Sequence, residues 1–405
     1  MRSSARIYCN KSDMATSTTA SHRIRVLFIV SLPPPMTGQA LASQTLIDEM
    51  ARTHDVSVVN MNKPSLVSGV GSIGRVLDVF KIIGRVARAQ ASAEVIYFTI
   101  SESRAGNLKD VCIMAVCWRK LARMAIHLQG GAGLTQLLKK NFVGIGSLNR
   151  FFHRRVAGVV VEGGTQRQIF LGAVQDERIH VVPNFAEDQI FLSPERIERK
   201  FAQARPLRVL FLSNLIRGKG HEELLGAYAA LSLEERTGLE LDFAGGFENP
   251  RQRKDFLDRI AAFPNVRYHG VVGGSTKVDL FQRSHIFALP TYYPYEGQPL
   301  SILEAYAAGC VVITTAHSGI PDVFCDSVNG FVIEKKSAAS VCEALRSALS
   351  ARQELTSIAL HNRLVATERY TERRFKLSLT TLIETLAESE NLVAGQRNSK
   401  AGRIV

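Results

Sequence analysis

The chain has 405 residues, 46% of them hydrophobic and 21% charged, and carries a formal net charge of +13. That length exceeds one ordinary core and suits two domains, the balance excludes bulk disorder, and no apolar run reaches the roughly 20 residues of a spanning helix. The excess positive charge points to an acidic partner, either a phosphorylated substrate or an anionic membrane surface; nucleic acid is set aside because no binding motif and no basic ladder interleaved with aromatics is present.

Residues 1–21 are Ser, Thr and charge without an apolar period and read as a disordered extension, with Met14 an alternative start. Ordered structure is predicted to begin with a strand over 24–30, which carries Arg25 and runs into Pro33, Pro34 and Pro35, a poor pattern for a secretion signal. A loop to Gly38 and a helix from Gln39 toward Met50 follow. Further apolar runs at 56–59, 95–99, 125–128, 158–161 and 179–182 read as strands, with helical stretches between most of them. Between residues 72 and 90, Ile73, Val76, Leu77, Phe80, Ile83 and Val86 recur at helical spacing beside Arg75, Lys81, Arg85 and Arg88. Such a basic amphipathic helix packs on a sheet or lies on an anionic membrane. A second basic and apolar region spans 137–155.

The charged segment 189–206 reads as a linker, after which the strand pattern restarts at 207–212, 239–243, 266–268, 286–289, 311–315 and 331–333. Alternation of apolar strands with amphipathic helices predicts an α/β protein with two doubly wound, Rossmann-like domains, 22–188 and 207–370. Their ligand crevices lie at the carboxyl ends of both sheets and so face one cleft. One more helix, 371–390, and a disordered tail, 391–405, complete the reading. The scattered cysteines Cys9, Cys112, Cys117, Cys310, Cys325 and Cys342 form no CxxC pair and have no histidine at zinc spacing. They predict reduced thiols, no metal site and a cytoplasmic protein, or one peripheral on the inner membrane face.

The densest chemical signal runs from Glu296 to Glu304, ahead of a glycine stop at Gly309 and a β-branched run. Pro299 suits a first helical position, and a helix opening beside a glycine loop offers free N–H groups and a positive dipole end to a phosphate. Carboxylates on the same turn suit vicinal sugar hydroxyls. The segment, continued through Gly319, Ile320, Pro321 and Asp322 and through Asn329, Gly330, Phe331 and Val332, resembles the C-terminal signature of the retaining GT4 glycosyltransferases of the GT-B class.

The resemblance implies a role for each matching residue. Glu296 would sit on the donor sugar hydroxyls, the backbone of Gly297, Gln298, Pro299 and Leu300 against sugar and phosphate, and Glu304 on the ribose. The loop 213–220 resembles the family's phosphate loop and makes Lys219 the diphosphate cation; Asn214 stands where the family commonly has arginine, so the second cation comes from Arg217 or is missing. Gly270 and Val271 would meet the base, and Gly38 the phosphate side. Near the donor sugar the family places a histidine, for which His127 and Gln129, followed by Gly130, are the candidates. Glu296, His127 and Lys219 are thus the expected catalytic set. The turn at Pro183 and Asn184 would shape the hinge, and the last helix would cross back onto the first domain. The implied activity is transfer of a hexosyl group from a UDP- or GDP-type nucleotide-sugar to a glycan or lipid-linked acceptor in polysaccharide biosynthesis, without cofactor or metal. A noncatalytic nucleotide-binding subunit and a sugar-nucleotide epimerase are the alternatives.

Overall fold

A computed structural model describes residues 23–34, 37–62, 72–140, 144–202 and 206–401. The expected N-terminal extension therefore lies outside the described residues.

The N-terminal domain alternates β1 (Arg25–Val30), α1 (Gly38–Thr53), β2 (Asp55–Asn60), α2 (Ser72–Ala89), β3 (Val95–Ile100), α3 (Arg104–Val116), β4 (Met124–Leu128), α4 (Ala132–Lys140), α5 (Ile145–His153), β5 (Gly158–Val161), α6 (Gly164–Phe170) and β6 (Ile179–Val181). All pairings are parallel, in the order β2-β1-β3-β4-β5-β6. β3, β4 and β5 are buried throughout, which is why they read as unbroken apolar runs. One face packs Ile82 and Val86 of α2, Ile113 of α3 and Phe152 of α5 against Leu27, Phe98 and Ile126. The other packs α1 through Ala42, Leu46 and Met50.

The second domain follows with α7 (Pro194–Ala202), β7 (Leu207–Leu212), α8 (His221–Ala230), α9 (Leu233–Thr237), β8 (Leu239–Ala244), α10 (Pro250–Ile260), β9 (Val266–Tyr268), α11 (Gly274–Arg283), β10 (Ile286–Leu289), α12 (Leu300–Ala307), β11 (Val311–Thr315), β12 (Gly330–Ile333), α13 (Ala338–Ser350) and α14 (Arg352–Arg369), and α15 (Glu372–Ala401) comes after it. Its sheet is also parallel, ordered β12-β11-β10-β7-β8-β9. In each sheet the order reverses at one point, between β1 and β3 and between β7 and β10. The loops leaving those strands hold the crevices.

Three expectations change. The segment 189–206 is not an open linker: residues 194–202 form α7, whose Ile197 is fully buried beside Leu192 and Ala359. Lys200 Nζ donates to the carbonyls of Ser284, Ala308 and Gly309 at 2.7, 2.9 and 3.0 Å, tying α7 to the end of α12. The chain instead crosses between domains at 184–186, where the Ala186 N–H donates to the Tyr370 carbonyl at 2.8 Å. Pro299 caps α12 rather than opening it. Finally, α15 continues through residues 391–401, past the expected start of a tail. It does return to the first domain, burying Phe375, Leu379, Leu382 and Ile383 against the α1 face of the sheet.

Candidate active site

The two crevices join in one cavity of about 680 Å³, lined from the first domain by Thr37, Gly38, Glu102, Lys109, Gln129 and Glu162, and from the second by Asn214, Lys219, Lys277 and the loop into α12.

On the C-terminal side, β7 ends in a turn that reaches α8 through Gly220. Gly220 has φ +92, and a Cβ there would lie 2.4 Å from the Pro290 carbonyl oxygen, so the tight turn admits only glycine. The turn aims Lys219 into the cleft. Its Nζ donates to both carboxylate oxygens of Glu296 at 2.9 Å and lies 4.8 Å from the Tyr293 ring centre. Thr291 Oγ1 also donates to Glu296 Oε2, at 2.7 Å. Glu296 is 5% exposed, so its charge is held by these partners rather than by water. Directly after it, Gly297 and Gln298 lead to the amino end of α12, whose first residues Leu300 and Ser301 line the same space.

Glu304, on α12, is buried and paired to Lys277 Nζ, which also contacts Glu187, both at 2.5 Å. Burial raises the Glu304 pKa, against the opposing pull of Lys277. Burial works against the Lys277 charge, but Glu304 and Glu187 together hold its pKa above the ordinary value. Both side chains line the cavity.

The first domain contributes two carboxyls that the motif reading missed. Glu102 follows β3 and faces the N–H groups of Gly131, Gly133 and Leu134 at the start of α4; burial nevertheless pushes its pKa up to about 7, with the Glu296 charge adding to the shift. Glu162 follows β5 and is fully buried, which raises it to about 7 although Gln166, Gln298 and Asn184 donate to it. Glu162 stands directly after its apolar strand and Glu102 two residues after its own, at the end of the sheet where site loops gather, and that position was the available signal. Lys277 had none, because α11 reads as an ordinary surface helix.

The remaining expected residues divide. Gly38 lines the cleft, and a Cβ there would lie 2.9 Å from Leu300 Cδ1, so the domain walls nearly touch at that point. Asn214, Gln298, Pro299, Leu300 and Val271 also line it, Val271 as an exposed rim residue. Gly130 is buried behind the surface, backing onto Gly297, while Gly270 is part-exposed outside the lining, its carbonyl accepting from the Gly245 N–H at 2.7 Å.

Two residues are corrected. His127 is fully buried and does not reach the cleft: strand alternation turns it toward the α1 face, where the Tyr97 hydroxyl bonds its Nδ1 and burial pushes its pKa down to about 3. Gln129, beyond the strand end, lines the cleft instead. Arg217 lies two residues before Lys219 in the tight turn and points the other way, into a separate cavity of about 310 Å³ beside His221 and Tyr292. Lys219 is left as the cation beside Glu296. Among the described residues no cluster of three His, Cys, Asp or Glu side chains is placed to hold a metal.

Residues 193–364 match the family model described as Glycosyl transferases group 1. An uncharacterized glycosyltransferase of Methanocaldococcus jannaschii is 27% identical over 144 residues, 35% of this chain and 35% of its own. The amylovoran biosynthesis glycosyltransferase of Erwinia amylovora is 23% identical over 202 residues, 48% of this chain and 49% of its own. The chain therefore spans about a third of the first relative and about half of the second. In three dimensions it is similar to the Anabaena protein HepE, solved with UDP and glucose, at a TM-score of 0.66 and 16% identity over 90% of this chain and 100% of that one. With two parallel six-stranded sheets facing a common cleft, the molecule has the GT-B fold, and its residues 193–364 match the glycosyl transferases group 1 family model.

Proposed function

We propose that this protein is a retaining glycosyltransferase of the GT4 type, which moves a hexosyl group from a UDP- or GDP-type donor to a glycan or lipid-linked acceptor in polysaccharide biosynthesis. The observation that carries the reading is the Lys219–Glu296 pair at the amino end of α12, inside the interdomain cleft. When a donor enters, Lys219 and the α12 N–H groups take the diphosphate, and Glu296, released from its partner, accepts sugar hydroxyls. The bond from the anomeric carbon to the diphosphate breaks with its electron pair on the leaving phosphate oxygen. The acceptor oxygen bonds that carbon on the same face, and its proton passes to the diphosphate. Departing charge is met by Lys219 and helix N–H groups, so no metal is required. Support for a nucleotide-sugar comes from the Anabaena neighbour, solved with UDP and glucose, and for polysaccharide work from the named role of the Erwinia relative.

The acceptor side is the first domain, which we place against the inner membrane face. Val76, Leu77 and Phe80 on α2 are exposed, as are Trp118 and Phe151, which stack at 5.6 Å with Arg155 over both rings. Among the described residues no helix is long and apolar enough to cross a membrane, so this contact would be peripheral.

Calorimetric titration with UDP, GDP and ADP, first without metal and then with magnesium, tests the donor side. Preference for one diphosphate without metal supports the transferase. Asn214, standing where relatives commonly have arginine, favours a second reading, a noncatalytic nucleotide-binding subunit. Loss of transfer in Glu296→Ala with unchanged folding rejects that second reading, and unchanged cellular function of the same variant rejects the first.

A further inference from the structure

Between the domains lies a hydrogen-bonded clasp built on the donor loop itself. Glu162 Oε2 accepts from the Gln298 backbone N–H at 2.8 Å, across the domain boundary, and the Glu162 carbonyl accepts from Gln298 Nε2 at 3.2 Å. Asn184, where the chain crosses, donates its N–H to Gln298 Oε1 at 2.7 Å, and its Nδ2 to the Gln298 carbonyl at 2.9 Å and to Glu162 Oε1 at 2.7 Å. Gln166 holds Glu162 from behind, donating to Oε2 at 2.8 Å while its Oε1 accepts from the N–H groups of Glu162 and Gly163. Glu162, Gln166, Asn184 and Gln298 are all buried. Further out, Asp322 of the second domain caps α6 of the first, accepting from the Thr165 N–H and hydroxyl at 3.0 Å.

We propose that Glu162 is a positioning residue that couples closure of the two domains to occupancy of the nucleotide-sugar site. The residue it grips, Gln298, lies between Glu296 and the amino end of α12, so the first domain holds the segment that a donor must touch. Opening the cleft breaks the Glu162 and Asn184 bonds and frees that loop; closing it fixes the loop beside Lys219. Closure and donor binding therefore share one free-energy term, and each must favour the other by the same factor. Glu162 and Asn184 each make two directed bonds to Gln298. Gly297 makes the approach possible, since a Cβ there would lie 2.4 Å from Glu162 Oε2 and 2.9 Å from Gly130 Cα.

The coupling rests on the donor reading above only for its ligand. The test combines small-angle scattering of the full chain, with and without UDP or GDP, and calorimetric affinity for the same nucleotide, in wild type, Glu162→Ala and Asp322→Ala. Asp322 does not line the cleft, so its variant loosens the clasp without removing a donor contact. The expected result is a larger radius of gyration in both nucleotide-free variants, with affinity reduced roughly fivefold to a hundredfold, the usual range of coupling between sites. Weaker affinity in Glu162→Ala with an unchanged radius and an unaffected Asp322→Ala overturns the proposal in favour of direct donor contact. An enlarged radius with wild-type affinity overturns it as well. If wild type binds no nucleotide the donor reading fails, while the scattering of nucleotide-free Glu162→Ala still accepts or rejects the clasp. Should Glu162→Ala not fold, Asp322→Ala alone carries both readouts.

Discussion

Lys219 and Glu296 neutralise each other in the protein, and on the proposed reading a donor must separate them. In Lys219→Ala the diphosphate loses its cation and Glu296 is left buried with only Thr291. Affinity for UDP should fall at least about tenfold while that for uridine stays within about twofold, because the nucleoside lacks the charged group. Calorimetry with both ligands checks this, and equal losses would remove Lys219 from the diphosphate. His127 belongs to the opposite case. As a neutral core residue bonded to Tyr97, it should yield in His127→Leu a lower melting temperature with unaltered UDP affinity; a well-folded variant that cannot bind donor would return it to the site. Glu162 carries a pH signature. Burial lifts its folded pKa to about 7, above the ordinary carboxylate range, so the folded state binds the proton more tightly and the group's contribution to stability declines as pH rises across that interval. Tyr97, Glu102 and the amides of Gln166, Asn184 and Gln298 face it. His127 and His153, both depressed by burial, titrate with the opposite slope, so the readout is a difference. Wild-type stability minus that of Glu162→Gln should shrink between about pH 5 and pH 7.5, and a difference that stays flat would contradict the raised pKa.

Elements were legible in the sequence where burial is continuous. β3, β4, β10 and β11 are covered on both faces, so each shows as an unbroken apolar run, and α12 shows through its glycine stop, Gly309, at φ +62. The segment that folds as α7 was obscured because its exposed charges outnumber the single buried contact, Ile197. In the site, the second-domain loop was readable because Glu296 and Glu304 sit eight positions apart around one loop-to-helix turn, and Lys219 lies in a glycine-containing turn directly after a strand. Glu102 and Glu162 were not, since their chemistry arises only when strand ends distant in sequence meet, and His127 was misplaced because strand register decides its face. The Lys219 turn offers a test at this scale. Gly220→Ala meets both a left-handed backbone and the Pro290 carbonyl, whereas Gly172→Ala has φ +78 with nothing within 4 Å of the added Cβ. The first should destabilise by about 2 kcal/mol or more and the second by about 1 kcal/mol, measured by denaturant unfolding. Equal effects would mean that the contact with Pro290 relaxes without strain.

In the whole molecule the two cores are joined by the chain passing twice over one place. The outward crossing at 184–186 lies beside the return at 370–375, with Phe185 and Phe375 ring centres 4.7 Å apart. Beyond that crossing α15 completes the first domain, not the second: Phe375, Leu379, Leu382 and Ile383 fill the α1 face, next to Val26, Phe28 and Tyr97. A fully buried apolar side chain of this size contributes about 1.5–3 kcal/mol, so these four together supply roughly 6–12 kcal/mol. That is comparable to the whole stability of a typical domain, about 5–15 kcal/mol. A chain ended after Tyr370 should therefore lose the first domain while retaining the second, whose own core lies among β7 to β12 and needs nothing from α15. Limited proteolysis followed by mass spectrometry separates the outcomes. Rapid loss of residues 23–183 with a persistent fragment spanning 193–364 fits this division of the core, whereas equal resistance of both domains would mean that the α1 face is held without the returning helix. Because the cleft needs both walls, the truncated chain should also lose transfer activity, even with Lys219, Glu296 and Glu304 in place.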